Sequence, residues 1–237
     1  MRSAFAIFGI AFALLVATGA RADPRLDAQL CVAAEGPHAD QISALLKQGA
    51  NLGAVCEAGE SPLHVAARTA WLPNLYALVS AGANVNLLSA HGYTPLAAVH
   101  SAHAAEFLLA KGADVSRRNP DGETPLIQIC DAAYSWNFSG VEASNIASVL
   151  LAAGADVNAQ ANDGQTALIK AVLKPGVQPL VATLLNHGAN PNLHAGGRWG
   201  ALGMAEQREK NERLGNGKDV QDFLDYEALI RAHGGRD

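Results

Sequence analysis

Few residues of this sequence have the types and spacing that catalysis or metal binding requires. His100 and His103 stand three residues apart in a stretch that we predict to be one helix, where two imidazoles could share a metal ion. No cysteine or carboxylate follows them at ligand spacing, so we expect no metal site and no cofactor. These two histidines are therefore a weak candidate.

Signatures of enzymes are missing as well. The sequence has no HExxH, GxSxG or CxxC motif, and residues 214–218 (LGNGK) lack the spacing and the hydroxyl of a P-loop. We therefore predict a protein that is not an enzyme. The alternative from a different class is a hydrolase or metal-dependent enzyme with its site in the segments 131–142 or 204–222.

Aromatic residues give a stronger signal, and it points to binding. Tyr134, Trp136 and Phe138 fall within five positions, although only 10 aromatic residues follow position 22. Large rigid side chains clustered in a loop are typical of binding hot spots. The alternative is that this loop folds back and fills a hollow between structural units.

Composition excludes some partners. Charged residues make up 16% of the 237 residues and hydrophobic residues 49%, which indicates a globular chain. Lysine and arginine number 17 against 22 acidic residues, a formal charge of -5. Without a basic surplus to neutralise phosphates, nucleic acid is not an expected partner.

The amino terminus has the plan of a secretory signal peptide. A basic start at Arg2 precedes an apolar run over 4–17 and a small-residue site at Ala20-Arg21-Ala22. We expect cleavage after Ala22; the alternative is a retained membrane anchor, which usually needs about 20 apolar residues. Cleavage would leave 15 basic and 22 acidic residues, a net charge of -7, on a chain without a membrane span. The expected location is the periplasm or the cell exterior.

The elements that must position the candidate residues are revealed by an internal repeat. Gly-Ala-Asn or Gly-Ala-Asp recurs, starting at Gly49, Gly82, Gly112, Gly154 and Gly188. Twelve residues after each glycine stands a second element, SPLH, TPLA, TPLI, TALI or the degraded GALG. Serine or threonine before proline predicts a helix start, and glycine predicts a helix stop. Each unit is therefore predicted to be helix, link, helix and hairpin loop.

The order, period and motifs of these units resemble the ankyrin repeat. The resemblance implies an all-α solenoid of about six stacked helix pairs with short hairpin loops. After the signal peptide over 1–22, it implies a single domain over 23–237. This domain consists of a cap at 24–49, repeats near 50–82, 83–112, 113–154 and 155–188, and a carboxyl-terminal capping unit at 189–237. The unit from 94 to 112 is short, and we expect it to have lost part of the link between its helices.

The same resemblance implies where a partner would bind. Ankyrin repeats usually meet partners through their hairpin tips and first helices. The residues at these places include large or charged side chains that could act as anchors. They are His91, Tyr93, Arg117, Arg118, Glu123, Arg198 and Trp199 at the hairpins, with Arg68 and Trp71 at the end of a first helix. For any single one of them, an ordinary solvated loop residue is the alternative.

The repeat register also gives roles to the cysteines. Cys31 occupies the position of His64 in the next unit, and Cys56 sits in the hairpin that follows. In an oxidising compartment the two could form a disulfide that ties the cap to the first repeat; the direction of the side chains leaves this open. Cys130 replaces a small core residue, and we expect a buried thiol.

Together these features predict a non-enzymatic module that binds another protein. Exported bacterial ankyrin proteins that the chain resembles include immunity proteins, which block toxic effectors such as secreted phospholipases. A periplasmic scaffold in oxidative or envelope stress defence is the alternative. The acidic charge favours a basic partner.

Overall fold

The helices of this protein are short and follow one another in pairs. The computed structural model describes residues 23–69, 71–133, 138–196, 199–215 and 217–236. In these ranges the α-helices are α1 (Pro24–Glu35), α2 (Ala39–Lys47), α3 (Pro62–Thr69), α4 (Leu72–Ser80), α5 (Ala102–Ala110), α6 (Pro125–Ala132), α7 (Gly140–Ala152), α8 (Ala167–Val172), α9 (Gln178–Asn186), α10 (Ala201–Leu214) and α11 (Val220–Ala232). Two 3-10 helices, Glu57–Gly59 and Pro95–Ala98, complete them.

The pairs stack into two layers. The first helices, α1, α3, the 3-10 helix Pro95–Ala98, α6, α8 and α10, each contact the next in that order. The second helices, α2, α4, α5, α7, α9 and α11, form a parallel series of contacts. Between the layers lies one continuous core of leucine, isoleucine, valine and many alanines. The predicted all-α architecture of six helix pairs is confirmed.

The predicted helix starts are also confirmed. The side chains of Thr94, Thr124 and Thr166 accept hydrogen bonds from the backbone N–H three residues on, at 3.3, 3.5 and 3.2 Å. Each threonine thus satisfies one amide that the first helical turn leaves unpaired. At the other end, Gly112 takes φ +87°, a left-handed conformation that closes α5.

The short unit departs from the expected form. The residues lost from 94–112 come from the first helix, which is a single 3-10 turn, and not from the link between helices. Val99 is extended (φ -68°, ψ 140°), and α5 begins only after Ser101. His100 therefore lies in the link while His103 lies on α5, so the expectation that both stand on one helix is wrong.

The end of the chain is fastened by side chains of α11. Tyr226 accepts a hydrogen bond from Val177 N–H at 2.9 Å and donates one to the Lys174 carbonyl at 2.9 Å, and Asp222 accepts from Gly176 N–H at 2.8 Å. The link between α8 and α9 is thereby held against the last helix. None of the helices in the described ranges is long and apolar enough to cross a membrane.

Candidate protein-binding face

Hairpin turns line one edge of the stack, and each turn contains the same kind of backbone hydrogen bond. The first residue of each turn donates its N–H to the carbonyl of the fifth, in the pairs Cys56–Glu60, Ser89–Tyr93, Asn119–Glu123, Ala161–Gln165 and Ala195–Trp199. Neighbouring turns are also joined directly, because Ala90 N–H donates to Gly59 O and Asn162 N–H to Asp121 O, both at 2.9 Å. We call the surface formed by these turns and the first helices the hairpin face.

Close stacking of the turns depends on glycine. Gly92 has φ +77°, and a Cβ placed on it would lie 2.2 Å from Cδ of Pro120 in the next turn. Only a residue without a side chain permits both this conformation and this approach. The hairpin face is therefore a continuous surface that the repeat spacing builds.

A cleft opens in the middle of the hairpin face. It has a volume of about 240 Å³ and is walled only by hairpin turns, first helices and the link after Pro95–Ala98. Its lining includes Glu60, Arg68, Tyr93, His100, Glu123, Gln128 and Asp131. We call it the central cleft.

Tyr93 stands at this cleft because a histidine holds its backbone. His64 is buried, and its Nε2 lies 2.9 Å from the Tyr93 carbonyl while its Nδ1 lies 2.8 Å from Ser61 Oγ. A carbonyl can only accept, so His64 donates from Nε2 and accepts from the Ser61 hydroxyl at Nδ1. Burial lowers the pKa of His64, although the Tyr93 carbonyl and Glu60 oppose the shift. The ring is thus a neutral brace between α3 and the next turn.

Ion pairs organise the charges of the central cleft. Arg68 pairs with Glu60 at 3.2 Å. Lys170 pairs with Glu123 at 3.0 Å and with Asp131 at 3.6 Å, and Lys174 pairs with Asp131 at 3.1 Å. Burial works against the charged form of Lys170, but hydrogen bonding to Glu123 and the nearby carboxylates raise its pKa overall.

Acidic side chains dominate the charges that act on the Tyr93 phenol. Burial raises the pKa of its phenol, and the carboxylates of Glu123, Asp121 and Asp131 raise it further against a smaller opposing effect of Lys170. The Tyr93 side chain is nevertheless 41% exposed. It therefore presents a neutral, donor-bearing ring to solvent beside acidic groups.

Phe138 is not a surface anchor, which corrects the expectation from sequence. It is only 4% exposed and stacks on the His100 ring, with centroids 4.8 Å apart and planes 13° apart. Burial, with Arg68 nearby, lowers the pKa of His100. For this residue the alternative holds: the ring fills a hollow between two units. Tyr134 and Trp136 lie outside the described residues.

The remaining predicted residues are spread over the hairpin face. His91 and Arg117 are exposed. Arg118 is exposed as well, and its guanidinium donates to the carbonyls of Gly122 and Gln160. Glu123 is largely covered by its pair with Lys170. Arg198 lies outside the described residues.

The two predicted tryptophans have different surroundings. Trp199 is 44% exposed and lies beside a second cleft, of about 410 Å³, that includes Glu206 and Lys210 of α10. Trp71 is also 44% exposed, but it immediately precedes α4, in the link at the end of α3. Trp199 thus belongs with Tyr93 on the hairpin face, whereas Trp71 belongs to the link.

The cysteines are divided between a bridge and the core. The structure joins Cys31 of α1 to Cys56 of the first hairpin turn in a disulfide, with Cα atoms 5.5 Å apart. Cys130 is a free, fully buried thiol, and burial raises its pKa. Among the described residues, no group of three or more histidine, cysteine or acidic side chains is arranged to hold a metal ion.

Sequence reasoning missed the polar residues of the first helices. Gln128 and Asp131 of α6 line the cleft, and Lys170 of α8, with Lys174 just beyond that helix, pairs with its carboxylates. Gln128 and Asp131 are three residues apart, as expected for one face of a helix. Polar residues at this spacing in otherwise apolar helices were the available signal.

Comparison with known proteins agrees with this architecture. A stretch of 101 residues is 40% identical to the Neurogenic locus Notch protein of Drosophila melanogaster, covering 39% of this chain and 4% of that protein. The chain thus spans a small fraction of the length of that relative. The family model for ankyrin repeats (3 copies) matches residues 30–119 and 96–195, most of the chain. This protein therefore belongs to the ankyrin-repeat family, whose repeats form a module for protein–protein interaction.

Proposed function

We propose that the protein is exported and binds another protein through the hairpin face, inhibiting or shielding it. The observation that carries the proposal is the pair of half-exposed aromatic rings, Tyr93 and Trp199, each beside a cleft on that face. Aromatic residues that are rigid and partly exposed are the usual anchors of protein interfaces.

Inhibition by masking fits what this face offers. The turns are hydrogen-bonded to one another and the cleft walls are ion-paired, so the surface is preorganised and loses little entropy on binding. Ankyrin-repeat proteins are typically non-enzymatic, and an inhibitor of this kind needs no catalytic group. An immunity protein against a toxic effector, such as a phospholipase, is the specific role that we propose.

Export rests on two features. Residues 1–22 carry the pattern of a secretory signal peptide. The Cys31–Cys56 disulfide suits an oxidising compartment, because cytosolic thiols are kept reduced. The periplasm is the location that we propose. Fractionation of cells that produce the full chain tests it, and a cytoplasmic protein with residues 1–22 intact would contradict it.

The binding proposal is tested by quantitative affinity capture with the chain from residue 23 onward. Tyr93→Ala and Trp199→Ala should each reduce recovery of the captured partner at least tenfold, as expected for hot spots that cost about 2 kcal/mol. The matched control is Tyr76→Ala. Tyr76 is exposed to a similar extent (42%) but lies on α4 in the layer of second helices.

Three outcomes are informative. Loss of capture with Tyr76→Ala but not with Tyr93→Ala or Trp199→Ala would contradict the assignment to the hairpin face. A stoichiometric complex that abolishes the activity of one captured enzyme supports inhibition. A complex that leaves the partner's activity unchanged would favour a scaffold in stress defence instead.

A further inference from the structure

The central cleft has an excess of acidic groups. Glu60, Glu123 and Asp131 line it, and Asp121 and Asp163 act on Tyr93 and Lys170 from nearby. Against these carboxylates stand Arg68 in the lining and the two lysines paired with Asp131. Among the described residues that line the cleft, three carboxylates thus stand with one cation, Arg68, while Lys170 and Lys174 pair with Glu123 and Asp131 from outside the lining.

Gln128, which lines the cleft, carries an acceptor without a donor. Gln128 is 8% exposed; its Nε2 donates to the Glu123 carbonyl at 3.1 Å, and its Oε1 is buried without a hydrogen bond from any described residue. The amide cannot be reversed, because Oε1 would then face a carbonyl. A buried, unpaired acceptor costs about 1–3 kcal/mol, which an incoming donor would recover. The last torsion of glutamine is soft, so a small rotation turns Oε1 toward such a donor.

An aromatic ring completes this environment. Tyr93 lines the cleft and is partly open to solvent, and an aromatic ring is a favourable neighbour for a long cationic side chain and its aliphatic stem. The volume of about 240 Å³ equals roughly eight water molecules at about 30 Å³ each. That space fits one long side chain and is too small for a helix or a folded loop.

We propose that the central cleft is the pocket for an arginine or lysine side chain of the partner protein. The carboxylate of Asp131 and the amide oxygen of Gln128 accept its N–H groups, and the Tyr93 ring covers its stem. The inference rests on the proposed function and specifies it: the partner is basic at the point of contact, consistent with the acidic charge of this chain.

The test uses small probes with the ¹⁵N-labelled chain from residue 23 onward. N-acetyl-arginine amide and N-acetyl-lysine amide should cause saturable NMR shifts at Tyr93 and at the Gln128 side-chain amide, with dissociation constants on the order of 1 mM. N-acetyl-citrulline amide has nearly the shape of the arginine probe without its charge, and it should bind about tenfold more weakly.

Variants locate the site. Asp131→Asn should weaken binding of the arginine probe about tenfold, because it removes a charge-assisted hydrogen bond. Asp40→Asn makes the same charge change on the exposed surface of α2 and should have no effect. Thermal unfolding of both variants shows whether each retains the fold. Gln128→Met gives a second test, because it removes the amide oxygen and leaves the charge unchanged.

Several results would overturn the inference: equal binding of the citrulline probe, unchanged binding to Asp131→Asn, shifts confined to the cleft beside Trp199, or preference for N-acetyl-aspartate amide. Such a result together with capture that still depends on Tyr93 would remove the cationic anchor and leave the proposed function standing. Binding of the arginine probe without any partner capture would leave the cation site standing and remove the support for the proposed function.

Discussion

At the scale of single residues, burial decides which side chains are available for binding. Tyr93 and Phe138 are both aromatic residues close to the central cleft. Tyr93 keeps 41% of its surface exposed because His64 fixes its backbone at a turn, whereas Phe138 is 4% exposed because it packs on His100. Residue type alone does not distinguish an anchor from a core ring.

The neutral state of His64 makes stability depend on pH. The folded pKa lies below the value of 6.5 for a free histidine, so the unfolded chain binds more protons in this range. The contribution of the neutral His64 ring to the stability of the fold is fully present above pH 6.5, and it is lost as the pH falls through the folded pKa. His100 acts in the same direction.

We therefore expect the free energy of unfolding to fall between pH 7 and pH 5, by at most about 1.4 kcal/mol per pH unit for each histidine. Urea unfolding followed by circular dichroism at a series of pH values measures this slope. His64→Gln should flatten it, and the double variant with His100→Gln should flatten it further. An unchanged slope in the double variant would refute this explanation.

At the scale of elements, the units are joined by side chains that reach from one helix stop to the next. Asn86 donates to Gly112 O at 2.9 Å and accepts from Asp114 N–H at 2.8 Å. Asn158 links Gly188 and Asn190 in the same way. Both asparagines stand two residues after a Gly-Ala-Asn or Gly-Ala-Asp motif, so the repeat places them in register.

Glycines at the two kinds of turn should differ in their tolerance of substitution. Gly92→Ala and Gly112→Ala both put a side chain into a left-handed conformation, at a cost of roughly 1–2 kcal/mol. Only at Gly92 does the new Cβ also meet another turn, 2.2 Å from Pro120 Cδ, whereas nothing lies within 4 Å at Gly112. In urea unfolding, we expect Gly92→Ala to lower the free energy of unfolding by about 1–3 kcal/mol more than Gly112→Ala does. Equal losses would mean that the turns adjust without strain.

At the scale of the whole molecule, the main contacts of each helix pair in the described ranges are with the neighbouring pairs. In such a solenoid, stability is close to a sum of local terms and of interfaces between neighbouring repeats. Among the described residues, the cap formed by α1 and α2 packs against a repeat on one side only, and the Cys31–Cys56 disulfide fastens it to the first hairpin turn. The bridge thus protects the exposed end of the stack.

Replacing both cysteines, Cys31→Ser with Cys56→Ser, should therefore act locally. We expect a loss of about 3 kcal/mol in the stability of the cap. Hydrogen exchange should become faster in α1 and α2 while α6 to α9 keep their protection. Cys130 stays in place in both proteins, which controls for general effects of thiols. A uniform rise in exchange along the chain would contradict this local action.

The sequence alone determined the repeat, the six helix pairs and the helix starts and stops. These features follow from local chemistry: threonine caps a helix, proline begins it, and glycine closes it. The position of the candidate face followed from the same register, because the residue before each helix start recurs at a fixed offset. Tyr93 and Trp199 were found in this way.

Only the tertiary structure decided which of these residues come together. The short unit has its first helix reduced to a single 3-10 turn while its link is kept, which places His100 in the link and against Phe138. The central cleft combines Glu60, Tyr93 and Glu123 from three different hairpin turns, and Gln128 lacks a partner for its oxygen because of what packs around it. Contacts between residues tens of positions apart depend on the insertions and deletions of each unit and on which side chains fill the space between them. Neither is fixed by local sequence preference.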